Sequence, residues 1–444
     1  MQEPEIQVGL LTSEAIQFNL HGIFHVIAPR TPQGSLKQKI VSGEQQVKYE
    51  NGAIGWNGTT FKELLFFPLD SPEKNLFELK DVMIGKNFHW QQHEDESFQG
   101  ALRLIIEDSQ ITAINLINTE RYLISVIASE MSANASMELL KAHAVISRSW
   151  ILAQLTTRKD GDNECCSYER EDGEIVRWYN RSAHKNYDVC ADDHCQRYQG
   201  ITKVTTSEAK QAVDETAGEI LIYNGEICDA RFSKCCGGMS EEFHTCWEDK
   251  HYGYLKATPD QANVSNMADL RDEKQAEAWI LSEPDAFCNT HDSKILSQVL
   301  VNYDQQTTDF YRWKVTYSQE ELQDIIRERS GIDFGNIIDL MPLARGTSGR
   351  ISRLRIVGSQ QTKVIGKELE IRRTLSRSHL FSSAFVVEKT GQGYVPEQFV
   401  LHGAGWGHGV GLCQIGAAMM GEQGYNYKEI LLHYYKGAKV ERMY

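Results

Sequence analysis

Several things are scarce in this chain of 444 residues, and each scarcity excludes something. No run of about 18 apolar residues occurs, so no membrane-crossing helix is expected. Basic charge is short: 46 Lys and Arg stand against 61 Asp and Glu, a net charge of -15. A face that grips phosphates needs the opposite balance, so nucleic acid is not expected as a main partner. The opening residues Met1 to Glu5 lack the basic and apolar stretches of a secretory leader. That fits a cytosolic protein, or a mature chain whose leader has been removed. Neither an internal repeat nor a low-complexity tract is found.

What is present is ordinary globular composition, 41% hydrophobic and 24% charged. The length suffices for roughly two to three domains. Residues 5–117 read as β-rich: IQVGLL, AIQFNL, FHVIA, ELLFFPL and ALRLIIE are short apolar or alternating runs between Gly, Asn, Asp and Pro signals. Residues 156–200 are polar and expected to be irregular. A helix is expected near Ser207–Thr216 and a strand at Glu219–Tyr223. Residues 260–300 are acidic, with helical pattern around Lys274–Ile280, and read as an insertion or excursion. Strands are expected at Trp313–Tyr317 and Ile351–Val357, with a helix at Gln319–Glu328 between them. The end of the chain is Gly-rich.

The stretch Asn118 to Leu152 predicts two helices with a break at Glu130–Ala135. Asn118 and Ser136 are suited to N-caps, with Glu120 and Glu138 in the first turns. Leu123, Val126 and Ile127 give the first helix an apolar face, and Met137, Leu140 and Ala144 continue the stripe. Glu130 falls at the C-terminal end of the first helix, where the macrodipole disfavours negative charge. That should nudge a carboxyl pKa upward, the direction a general acid needs. A solvated loop glutamate is the plainer alternative.

Ten cysteines are unevenly spread. Cys165, Cys166, Cys190, Cys195, Cys228, Cys235, Cys236 and Cys246 crowd together, with Cys288 and Cys413 outside, which points to disulfides or metal. His184, Cys190, His194 and Cys195 form HxxxxxCxxxHC, a donor set that suits tetrahedral zinc. A Cys190–Cys195 disulfide competes with that reading. The vicinal pairs Cys165–Cys166 and Cys235–Cys236 suit bonds to distant partners such as Cys246 and Cys288, in a connectivity that spacing does not define.

Several separated blocks together resemble the SpoIID/LytB family, the stage II sporulation protein D and amidase-enhancer group. They are ERYLISVIASEM with LLKAHAVISRSW, FSKCCGGMSEEFHTCW with YGYLKA, GTSGRISRLRIVG with IRRTLSRSHLFSSAF, and HGAGWGHGVGLCQIGAAMMGEQGYNYKEILLHYYKGAKV. The resemblance covers residues 100–258 and 313–444, and more weakly 5–99. Cys413 and Ile415 stand where many relatives have Ser and Tyr, Ser132 where many have Pro, and His143 where Gln is usual.

The resemblance implies a lytic transglycosylase that cuts peptidoglycan between N-acetylmuramic acid and N-acetylglucosamine without adding water. It implies Glu130, in the SEM motif, as the catalytic acid and base. Arg148 would donate to Glu130 or to a sugar, and Tyr254 and Lys256 would line the same cleft. His402, Trp406, His408 and Gln414 in the Gly-rich block would offer a sugar-binding surface, with a purely structural turn as the alternative. Some members carry a zinc in a similar loop, so any metal at His184–Cys195 would be structural. The expected architecture is α+β: a β-rich N-terminal lobe (1–117), then the helix pair, Cys/His loop and middle block (118–258). An insertion (259–312) and a C-terminal part (313–444) follow. The helix pair would sit at the cleft between a β-rich and a mixed α/β lobe. An extracytoplasmic location, glycan strands as ligand and a cell-wall amidase as partner go with that reading. Two rivals remain: a non-catalytic peptidoglycan-binding amidase enhancer, and a hydrolase using Glu120 or Glu138 as second carboxylate.

Overall fold

The computed structural model describes residues 2–28, 39–69, 74–85, 92–132, 134–159, 168–169, 173–179, 184–192, 195–262, 268–300 and 307–444. In the N-terminal strands the alternation of the sequence becomes one buried face. Along Ala15–Ile27 the buried side chains are Ile16, Phe18, Leu20, Phe24 and Val26, the period of two that a strand imposes. That strand pairs antiparallel with Lys39–Glu50, Leu64–Pro68 and Leu76–Ile84. Together with their neighbours these strands form an 11-stranded sheet among the described residues.

The central strand Gln110–Asn118 is buried almost throughout. It lies between Glu5–Ser13 and Ala101–Glu107 and runs straight into helix α1, Thr119–Glu130. Helix α2, Met137–Lys159, follows after a short break. Asn118 takes the N-cap position of α1 but its side chain caps nothing. The exposed amides are met instead by the chain's start: Thr119 N–H donates to Pro4 O at 3.0 Å and Glu120 N–H to Glu3 Oε1 at 2.8 Å. Ser136 does cap α2, its Oγ accepting from Leu139 N–H at 3.3 Å.

Two cores organise the molecule. The first joins the large sheet and the helix pair with residues up to Tyr311, and also takes Val410, Leu412, Tyr434 and Tyr435 from the end of the chain. The second spans Trp313 to Leu401 and includes Leu322, Leu354, Ile371 and Phe399. Helix Gln319–Ser330 covers it, capped by Ser318 and closed by Gly331 at φ 72°, a backbone that glycine adopts without a Cβ clash. The chain thus leaves the first core near residue 312, builds a smaller lobe, and returns near residue 410. Its return strand Leu412–Cys413 pairs in parallel with Phe232–Ser233.

The segment expected as an insertion packs against both lobes. Helix Glu273–Ile280 packs Ile280 against Ala384 and Ala404 of the smaller lobe. Helix Ser293–Val299 puts Ile295, Leu296 and Val299 into the first core. The polar stretch after α2 is likewise knitted in, since Glu174–Val176 pairs in parallel with Thr362–Gly366. The fold class is α+β with a β-rich N-terminal region. Among the described residues no helix is long and apolar enough to cross a membrane.

Candidate functional site at the helix break

Glu130 is the last residue of α1 and is half-buried. The helix stops because Met131 turns extended, at φ -118° and ψ 151°, and drives its side chain inside. The break is then held from outside. Ser132 N–H donates to Gln298 O and Ser136 N–H to Gln298 Oε1, each at 3.0 Å. Helix Ser293–Val299 therefore braces the loop next to the candidate acid. Among the described residues one donor reaches Glu130: the backbone N–H of Arg197, 3.1 Å from Oε1.

Arg197 lies in a segment laid along α1. Gln199 N–H donates to Ser129 Oγ at 3.3 Å, Tyr122 Oη donates to Gln196 Oε1 at 3.2 Å, and Tyr198 stacks on Tyr122 at 5.1 Å. Burial holds the Tyr122 phenol well above its usual range, and the neighbouring Cys195, Tyr198, Cys190 and Glu130 add to the shift. The Cys/His loop arrives at the same place. Val189–Cys190 pairs in parallel with Val8–Gly9, and Cys195 Sγ lies 3.5 Å from His184 Nε2. The donor atoms of His184, Cys190 and Cys195 all fall within 4.8 Å of one another. His194, the fourth expected ligand, lies outside the described residues. One imidazole and two thiols converging in this way are a donor set that suits zinc.

Other expected partners of Glu130 sit elsewhere. Arg148 is fully buried and forks onto Glu120, with Nε to Oε1 at 2.9 Å and Nη2 to Oε2 at 2.6 Å. Its Nη1 donates to Glu219 O at 3.0 Å. Glu120 is at the opposite end of α1, ten residues and about 15 Å from Glu130. The expectation that Arg148 serves Glu130 is therefore corrected: it locks the start of α1 to the middle of α2. Tyr254 is also buried, its Oη accepting from Asp229 N–H at 2.8 Å. Asp229 in turn accepts from Gln154 Nε2 at 3.2 Å. Gln154 is about 25 Å along α2 from its first turn, so Tyr254 belongs to the far end of the helix pair. Lys256 nearby is exposed.

The Gly-rich block has its own centre. Arg350 is fully buried and donates to Gly407 O at 3.1 Å, Cys236 O at 3.1 Å and Ser348 Oγ at 2.9 Å. Ser348 Oγ in turn donates a hydrogen bond to Glu241 Oε2 at 2.6 Å. Glu241 accepts further from Glu242 N–H at 2.8 Å and from Thr347 N–H and Ser348 N–H at 3.1 Å. A Cβ at Gly409, φ 76°, would stand 2.4 Å from Arg350 Cζ. The glycines bring backbone up to a buried guanidinium, which is the structural alternative for this block.

The aromatic and polar side chains of the block mostly point into packing. Trp406 is half-buried between Phe381 at 4.4 Å and Phe310 at 4.6 Å. His408 Nδ1 accepts from Val410 N–H at 3.0 Å, and burial with the Arg231 and Arg350 charges holds it well below the usual histidine range. Gln414 is buried, its Nε2 3.1 Å from His143 Nε2. His402 lies on Gln398–Ala404 in the smaller lobe, 3.2 Å from Glu388. Arg350 and Glu241 were missed from sequence. The signal for them was a charged residue close to glycine in two of the quoted blocks, Arg350 directly after Gly349 and Glu241 three residues after Gly238.

Residues 107–223 match the family described as stage II sporulation protein, SpoIID. Residues 241–411 match a domain of unknown function, DUF8618. An uncharacterised protein of Brachyspira hyodysenteriae is 27% identical over 344 residues, 77% of this chain and 72% of that protein. A stage II sporulation protein D of Bacillus amyloliquefaciens is 25% identical over 330 residues, 74% of this chain and 75% of that protein. An amidase enhancer of Bacillus subtilis is 24% identical over 328 residues, 70% of this chain and 39% of that longer protein. The 107–223 match takes in α1 with Glu130, α2 and the Cys/His loop, and by that match and these relatives the chain is similar to the stage II sporulation protein D and amidase-enhancer group.

Proposed function

We propose that the chain is an extracytoplasmic lytic transglycosylase of peptidoglycan, with Glu130 as its one acid and base. The observation that carries this reading is the setting of Glu130. It is half-buried at a braced helix break, with one oxygen anchored by the Arg197 N–H. Among the described residues no donor meets its second oxygen, which is left for a substrate.

A single carboxyl suffices for the chemistry. The protonated Glu130 gives its proton to the glycosidic oxygen as the bond from that oxygen to C1 of the muramic sugar breaks. The C6 hydroxyl of the same sugar then closes on C1, and its proton passes to the carboxylate. A 1,6-anhydro ring forms, a free hydroxyl is released on the neighbouring sugar, and Glu130 is again an acid. An inverting hydrolase would want a second carboxylate about 6.5–9.5 Å away. Glu120 is about 15 Å off and clamped by Arg148. Glu138 accepts from Tyr427 N–H at 2.7 Å and pairs with Lys141.

A zinc held by His184, Cys190 and Cys195 would order the loop that carries Arg197, and takes no part in the proton transfers. Purified protein incubated alone with purified peptidoglycan is expected to release 1,6-anhydro ends, read by mass spectrometry. Glu130→Gln is expected to keep the fold and lower that release at least about 100-fold. Equal release by the variant, or reducing ends in place of anhydro ends, overturns the assignment. The name of the Bacillus subtilis relative favours a second reading, an enhancer of a cell-wall amidase. In that case the protein alone yields no anhydro ends and speeds an added amidase.

A further inference from the structure

Away from the helix break, four acidic or thiol side chains from distant parts of the chain meet in the interior. They are Cys236, Asp260, Cys288 and Cys413, each at most 2% exposed. Their ligand atoms lie within 4.8 Å of one another. We propose that Cys236, Asp260, Cys288 and Cys413 form a buried tetrahedral site for a thiophilic divalent cation of the zinc class.

The sulfur spacing fits. Two thiolates on one zinc, each about 2.3 Å from it at a tetrahedral angle, stand about 3.8 Å apart. Cys236 Sγ and Cys288 Sγ are 3.6 Å apart, against about 2.0 Å for a disulfide. The surroundings orient the donors as a metal's outer partners do. Cys236 N–H donates to Cys413 Sγ at 3.2 Å. Asp260 Oδ1 accepts from Tyr434 Oη at 2.6 Å, and Oδ2 accepts from Cys288 N–H at 2.9 Å.

Charge balance points the same way. A carboxylate in a dry interior is costly unless a cation compensates it. Among the described residues the basic group recorded near Asp260 is His433, whose Nε2 is 4.0 Å from Oδ1. That nitrogen has no hydrogen-bond partner. A divalent cation between three sulfurs and Oδ2 supplies the missing charge. Such an ion staples the middle block at Cys236, the segment at Asp260 and Cys288, and the returning chain at Cys413. Its role is structural, because all four donors are protein and none is left open for a substrate.

The test uses the full chain carrying Cys195→Ala, which removes the loop set as a source of metal. About one zinc per chain is expected from elemental analysis of this protein, and none once Cys288→Ala is added. Cobalt exchanged into the Cys195→Ala protein reports independently of whether the double variant folds. Thiolate-to-cobalt charge transfer with tetrahedral visible bands is expected. Zinc-free Cys195→Ala protein with no cobalt spectrum overturns the site. So does non-reducing peptide mapping that finds Cys236 linked to Cys288 or Cys413.

Discussion

The guanidinium of Arg148 is wholly buried, while its partner Glu120 keeps 18% of its side chain exposed. Truncating the arginine takes the counter-charge from Glu120, which keeps Gly218 N–H and Tyr444 Oη as neutral donors, and takes the guanidinium donor from the carbonyl of Glu219. Arg148→Ala is expected to cost about 3–5 kcal/mol, the usual result of removing one member of a buried pair. Glu130→Gln, at a half-exposed end with one backbone contact, should cost under about 1 kcal/mol. Urea unfolding of both variants checks the contrast, and equal midpoints would show that the Arg148 pair carries no stability. His143 gives a pH dependence. Burial, with the Lys234 charge nearby, pushes it from 6.5 down to about 3. A base with a depressed value binds its proton in the unfolded chain first. Stability is therefore full above pH 6.5 and falls as pH drops from 6.5 toward about 3. His143→Gln keeps a hydrogen-bonding group beside Gln414 and removes this loss. Its unfolding temperature should match the parent near neutrality and exceed it near pH about 4. Parallel curves across that range would rule out a titrating His143.

At the scale of elements, the legible features were those written in consecutive residues. The strand Glu219–Tyr223 has the expected bounds. The helix expected at Gln319–Glu328 runs from Gln319 to Ser330, because its cap and its period lie within one stretch. The Asn118 cap failed for the opposite reason: Glu3 and Pro4, more than a hundred residues away, reach the same amides. Glu130 was nameable from its motif, and its place at the end of α1 followed from helical period. Its fixing by Arg197 and the bracing of its loop by Gln298 were not legible, since no periodic signal links 130 to 197 or 132 to 298. Arg148, Tyr254 and Gln414 show the converse. Membership in a shared motif marked them as important without saying for what, and burial assigns them to packing and hydrogen bonding inside the fold. The Cys236 group was hidden for the same reason as Gln298. Its donors come from blocks whose spacing resembles no metal-binding pattern.

For the whole molecule, the decisive contact is where the chain crosses between its two cores. Arg350 begins the strand side of the smaller lobe, yet its donors reach the backbone of Cys236 and Gly407 and, through Ser348, the carboxylate of Glu241. Middle block, GTSGR turn and Gly-rich block are thereby joined by one positive and one negative side chain, both fully buried. Glu273 and Arg345 tie the helix Glu273–Ile280 to the smaller lobe, with both nitrogen-to-oxygen distances 2.7 Å. Arg350→Met keeps most of the volume and removes the charge. It strands Glu241 as an uncompensated ion, leaves two carbonyls without a donor, and should cost at least about 3 kcal/mol. Because these contacts lie at the junction, the loss should be local before it is global. Hydrogen exchange is expected to rise first at residues 346–350 and 405–411, while the central strand Gln110–Asn118 keeps its protection. Parent-like protection in both loops, together with an unchanged calorimetric transition, would show that the two cores are held together by something other than Arg350.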